Sequence, residues 1–165
     1  MCSSDLLGND LITVANNETN LPETRLRNER ERSISQLNSY ADACERGDWL
    51  EVSIDTADSA RNPAKPDIRK MMVPIGPVIV FCASNFPFAF STAGGDTASA
   101  LATGCPVIVK AHSAHTQTST LMATAIFKAM EKCNMPAGIF AHIEGSSHSI
   151  GEALVNHRSE EHTSE

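Results

Sequence analysis

The 165 residues carry a net charge of −7, with 41% hydrophobic and 20% charged side chains. These totals suit one soluble domain able to bury a core, and the acidic balance argues against a nucleic-acid footprint, which needs a basic patch. No stretch reaches the ~18 consecutive apolar residues of a membrane helix, and the amino end lacks the regions of a secretory signal, so no membrane partner and a cytoplasmic location are expected.

Along the chain, Met1–Leu6 is foreign in appearance. Residues 22–45 predict an amphipathic helix, with Pro22 in its first turn, Gly47 after its end, and Leu26, Ile34, Leu37, Ala41 and Cys44 on one broad face. Short strands are predicted at 51–54 and 71–73, separated by a connector at 61–66 whose two prolines exclude a helix interior.

From Lys70 the rhythm changes to alternating strands and helices. Residues 78–83 form a continuous apolar run, as in a parallel strand covered on both faces. Asp96 is placed to cap a helix running to Ala102 and closed by Gly104. Residues 106–109 are the next strand. Residues 116–133 predict a helix with Leu121, Met122, Ala125, Ile126, Ala129, Met130 and Cys133 on one face. A strand at 139–143, a Gly/Ser-rich loop from Gly145 to Gly151 and a helix starting at Glu152 follow. Repeated strand–helix units imply an α/β fold with a partial doubly wound parallel sheet.

The tail Arg158–Glu165 has no apolar side chain and is expected to be disordered. It resembles translated sequencing-adapter read-through, so both ends read as foreign. The expected organisation is a non-native end at 1–6, a helical arm and connector at 7–66, a nucleotide-binding half-domain at 67–157 and a non-native tail at 158–165.

Two polar residues close the first two apolar strands. Ser84-Asn85-Phe86-Pro87 follows Val78–Ala83, and Lys110 follows Val107–Val109. Open α/β sheets keep ligands beyond the carboxyl ends of their strands, so a neutral amide and a cation there suit an oxyanion and a phosphate- or ribose-bearing cofactor. The plainer readings are an Asn that bonds its own backbone in a turn and a Lys that is a solvated charge. The five cysteines, Cys2, Cys44, Cys82, Cys105 and Cys133, are scattered without a Cys-x-x-Cys pair and read as reduced thiols. Cys82 and Cys105 are expected to pack as small hydrophobes, and Cys133 to end its helix on the apolar face. The histidines lack metal-site spacing.

The wording Gly76-Pro77-Val78 through Ser84-Asn85-Phe86-Pro87, then Ala93-Gly94-Gly95-Asp96-Thr97, then Gly104-Cys105-Pro106 through Lys110-Ala111-His112 resembles the aldehyde dehydrogenase superfamily, in particular its α-ketoglutarate semialdehyde dehydrogenase branch. The resemblance spans residues 8 to 157. It implies the aldehyde dehydrogenase fold with its Rossmann-like sheet and a helical arm, a small-molecule aldehyde as substrate and a homo-oligomeric parent protein. Asn85 falls where the family places its oxyanion donor, and Ser84, Lys110, His112, Ser113, Gly145, Ser147 and Gly151 fall at cofactor-binding positions. Ser113 stands where NAD-preferring relatives carry Glu, and Ser removes a carboxylate that repels a 2′-phosphate. NADP is therefore favoured over NAD. Ser147 replaces a glycine common in relatives. The family's Gly-Gln-x-Cys nucleophile and Glu-Leu-Gly-Gly base are both absent from the 165 residues. This chain is expected to be inactive alone, as a fragment of an NAD(P)-dependent semialdehyde dehydrogenase. The alternative is a non-catalytic nucleotide-binding or interaction module.

Overall fold

The computed structural model describes residues 8–157 and the backbone of 161–163. Met1–Leu6 lies outside these residues. The first element, α1 (Gly8–Thr19), has no counterpart in the sequence reading. It buries Leu11, Ile12 and Ala15, a spacing masked by the polar residues around it. Its Glu18 carboxylate accepts from the Gln117 and Thr118 N–H groups, both at 2.8 Å, and from Thr118 Oγ1 at 2.7 Å. Glu18 thereby caps α4 (Thr116–Lys132), whose own N-cap residue offers no side-chain bond.

Helix α2 (Glu23–Arg46) forms as expected, with Pro22 as its N-cap and Gly47 at φ 69° closing it. Its buried stripe differs from the prediction. Leu26, Glu29 and Ser33 are buried, while Ala41 and Cys44 are exposed. The amino-terminal half of α2 packs over residues 85–90, and there a carboxylate replaces an apolar side chain.

A two-stranded antiparallel arm comes next, β1 (Ser53–Asp55) with β2 (Ile68–Lys70). The strand expected at 71–73 is irregular instead. Just before Ser53 the chain passes through a 3₁₀ helix at Asp48–Leu50, leaving opposite residues 71–73, among the described residues, only a bond from Met72 N–H to the Leu50 carbonyl at 2.8 Å.

The main sheet contains β3 (Val78–Phe81), β4 (Val107–Lys110), β5 (Phe140–Ile143) and β6 (Glu161–Thr163), in the order β5-β4-β3-β6. All pairings are parallel, with Val78 opposite Val107 and Val107 opposite Phe140. The chain steps outward from β3 to β5 and then returns to the far side of β3, which is the strand-order reversal of doubly wound sheets. β6 lies inside the tail expected to be disordered. A strand edge recruits its neighbour through main-chain N–H and C=O groups, so the absence of apolar residues did not exclude pairing there.

Helix α3 (Gly95–Ala102) starts two residues earlier than read, with Gly94 rather than Asp96 as N-cap and Asp96 within the first turn. A Cβ on Gly94 would stand 2.3 Å from the Ala89 carbonyl oxygen, so only glycine permits this approach. α4 buries Met122 and Ala125 as the spacing predicts, and also Ala123, which lies off the predicted face; its last-turn neighbour Cys133 is exposed. α5 (His148–Val155) begins well before Glu152 because Ser147 caps it. One core lies between the sheet and α3 and α4, around Val80, Val109, Ala123 and Phe140. A second joins α1, α2 and α4 around Leu11, Leu26, Phe88 and Met122.

Candidate active site

Parallel pairing of β3, β4 and β5 carries their carboxyl ends to one edge. Phe81 is opposite Lys110, Lys110 is opposite Ile143, and Cys82 N–H donates to the Lys110 carbonyl at 3.1 Å. Asn85, Lys110 and the Gly145 loop therefore leave the sheet at the same end, as the sequence required of a shared site.

Asn85 is exposed, and so is Ser84. The Asn85 side-chain amide makes no hydrogen bond among the described residues. Its turn is held instead by the main chain, whose Asn85 carbonyl accepts from Arg25 Nη2 at 2.7 Å. An amide that spends no donor on its own backbone keeps both N–H groups for an external oxyanion.

Lys110 is half-buried, and its Nζ donates to the Ala111 carbonyl at 2.7 Å. That bond fixes one proton of the ammonium and leaves two for a ligand. Ser113 is exposed and opens a 3₁₀ turn, Ser113–His115. His112 caps this turn by accepting from Ala114 N–H through Nδ1 at 3.1 Å. Burial lowers the His112 pKa, and the nearby His115 and Lys110 charges lower it further. A neutral ring with Nδ1 already occupied adds little positive charge, so the pull on a phosphate falls mainly to Lys110.

His115 is fully buried and stacks on His112 with ring centroids 5.7 Å apart. Its Nε2 bonds the Ala83 carbonyl at 2.8 Å, tying the turn after β4 to the root of the Ser84-Asn85 loop. Sequence reading did not find this link, because nothing local to His115 reveals its partner.

After β5 the chain turns at Gly145, where φ is +134° and a Cβ would meet Ile150 Cδ1 at 2.5 Å. Ser147 takes the α5 N-cap at φ −71°, accepting from Ser149 N–H at 3.2 Å. Its backbone is one any residue adopts, so the missing glycine costs no strain there. Gly151 is not part of the loop. It lies within α5, facing Phe81, where it sets the packing of the helix on the sheet.

The cysteines divide as their positions dictate. Cys82 and Cys105 are buried. Burial pushes the Cys82 thiol up, against smaller opposing effects from Ser91, Thr92, the His112 backbone and Lys110, so it stays protonated at neutral pH. An apolar groove of about 400 Å³, lined by Trp49, Met72, Ile75, Val78 and Cys105 among others, opens at the amino-terminal edge of the sheet. It lies at the opposite end of the strands from Asn85 and Lys110.

Parallel strands that end in an unbonded amide and a tethered ammonium, beside a glycine turn into a capped helix, have the layout of a candidate nucleotide-type α/β site. The chain belongs to the aldehyde dehydrogenase family, whose model matches residues 8–164. It is 54% identical over 152 residues to alpha-ketoglutaric semialdehyde dehydrogenase 2 of Azospirillum brasilense, covering 92% of this chain and 29% of that protein. It is 49% identical to alpha-ketoglutaric semialdehyde dehydrogenase of Acinetobacter baylyi, covering 92% of this chain and 28% of that protein. The chain thus spans less than a third of the length of these curated relatives. Among solved structures it resembles NADP-dependent glyceraldehyde-3-phosphate dehydrogenase from Bacillus halodurans complexed with NADP. There the TM-score is 0.76 at 23% identity, over 94% of this chain and 32% of that one.

Proposed function

We propose that residues 8–157 form the helical arm and the first half of the cofactor domain of an NAD(P)-dependent aldehyde dehydrogenase. Its substrate is a small semialdehyde, with 2,5-dioxopentanoate oxidised to 2-oxoglutarate as the best match to the relatives. The observation that carries this reading is the common sheet edge from which Asn85 and Lys110 project, in a chain 54% identical to such an enzyme.

The residues present suit a nicotinamide dinucleotide. Lys110 has protons to spare for ribose hydroxyls or a phosphate. Gly145 permits the tight turn, and the α5 amino terminus lies directly after it. When bound, the nicotinamide accepts the hydride that leaves the substrate carbon. Asn85 donates its amide N–H to the substrate oxygen as negative charge develops there. Ser84 flanks that donor, and Lys110, His112, Ser113, Gly145 and Ser147 line the cofactor side. The attacking cysteine and the base stand outside these 165 residues, so this chain by itself is inactive.

Ser113 places no carboxylate against a 2′-phosphate and Lys110 attracts one, which favours NADP. The test is a full-length chimera in which residues 8–157 replace the matching segment of the Azospirillum brasilense relative. It should oxidise 2,5-dioxopentanoate, and Ser113→Glu should move the NADP/NAD ratio of kcat/KM towards NAD by one to two factors of ten, at roughly 1.4 kcal/mol each. An inactive but folded chimera rejects the assignment, and an unchanged ratio rejects the role of Ser113.

A further inference from the structure

Helix α2 lies far from Asn85 in sequence, yet one of its faces grips the Asn85 loop at several points. Arg25 Nη2 donates to the Asn85 carbonyl at 2.7 Å, and its guanidinium sits 5.2 Å from the Phe86 ring centre. Glu29 Oε1 accepts from both Phe88 N–H at 2.8 Å and Ala89 N–H at 2.9 Å. Arg32 lies 5.1 Å from the centre of the Phe90 ring, which in turn packs edge-on against Phe86 at 5.2 Å. Arg25, Glu29 and Arg32 follow helical spacing, so a single face grips residues 85 to 90.

The loop needs such a grip. Pro87 has no N–H, and Phe88 and Ala89 are buried within irregular chain, where unpaired amides are costly. Glu29 is 6% exposed, and its Oε2 has no partner among the described residues. The carboxylate is thus buried to hold two consecutive amides. Apolar packing alone would have placed a Leu there, as at Leu26 one turn before.

We propose that Glu29, assisted by Arg25, is the positioning residue for the Asn85 oxyanion donor. It holds the backbone of the loop so that the Asn85 amide faces the reacting oxygen, and it touches neither substrate nor cofactor itself. The inference rests on the catalytic reading of Asn85.

The test uses the full-length chimera and the 165-residue chain together. In the chimera, Asn85→Ala should lower kcat on the order of 10²- to 10³-fold. Glu29→Ala should lower it by about 10- to 100-fold with the KM for NADP unchanged, since a small displacement of a catalytic group costs that much. Glu29→Gln, which keeps an acceptor oxygen, should retain most of the activity. Arg25→Met, a change at an exposed side chain that folding tolerates, should lower kcat a few-fold. In the Asn85→Ala background neither Glu29→Ala nor Arg25→Met should lower kcat further, because the group they position is gone.

In the 165-residue chain, Glu29→Ala should abolish hydrogen-exchange protection at Phe88 and Ala89 while Val80 and Val109 stay protected. Additive losses in the double variants would assign α2 a merely structural role and overturn the proposal. Full kcat in Glu29→Ala beside an impaired Asn85→Ala overturns the proposal alone, whereas full kcat in Asn85→Ala overturns the catalytic reading and the proposal with it.

Discussion

Met71-Met72-Val73 and Val78-Ile79-Val80 are two apolar triplets separated by a few residues, and they meet opposite fates. The second is 5%, 0% and 1% exposed; the first is 54%, 48% and 66% exposed. Val78–Val80 has a strand on each side and helices over its face. Met71–Val73 leaves a two-stranded arm whose Ile54 and Ile68 are also exposed. An apolar run therefore specifies burial only where the fold brings a neighbour to cover it, and within this chain that neighbour exists for the sheet and not for the arm.

The contrast has energetic consequences. Ile79→Ala should cost about 2–5 kcal/mol in urea unfolding, through lost burial and the cavity left behind. A cost near zero would mean that the sheet core is not formed. Glu29→Ala should be of comparable size, at about 1–3 kcal/mol for each of its two orphaned amides, read from the same unfolding curves.

A smaller effect is set by pH. Burial holds the His142 pKa below the ordinary imidazole value, with Glu144 pulling the other way, and His112 is lowered as well. The unfolded chain therefore takes up protons before the folded one does. Stability should be full above about pH 6.5 and fall as the pH drops below it towards the folded-state values. Melting temperature against pH should show this slope, and His142→Gln should flatten it; a stability that rises on acidification through this range would contradict the burial. Smallest of all, Val73→Ser should change stability by less than about 0.5 kcal/mol, since the side chain has little burial to lose. A larger loss would show that the arm is covered in solution.

The same contrast explains what could be read from the sequence. The strands at β3, β4 and β5 and the helix α4 were legible because their apolar patterns coincide with real coverage. The shared edge of Asn85 and Lys110 followed from parallel strands alone. Helix α1 was missed because Leu11, Ile12 and Ala15 are diluted by Asn, Asp and Thr. The face of α2 was misassigned because its buried stripe includes Glu29, whose partners at Phe88 and Ala89 are distant in sequence. The same holds for Glu18 on α4 and for the bond from Ser119 to His142 Nε2 at 2.8 Å. Each of these is a polar group that pairs across elements, and no local pattern announces its partner. The α5 start was misplaced because the Ser147 cap was read as part of a glycine loop.

We infer that the carboxyl edge of this sheet is a nicotinamide dinucleotide site with Asn85 at its reacting end. Titration of the ¹⁵N-labelled chain with NADP tests it most directly. Amide shift changes should concentrate at Ala111, Ser113, Gly145 and Ser147 and be reduced by Lys110→Met. Changes confined to the groove around Trp49, Met72 and Ile75, or none at the strand ends, would contradict it.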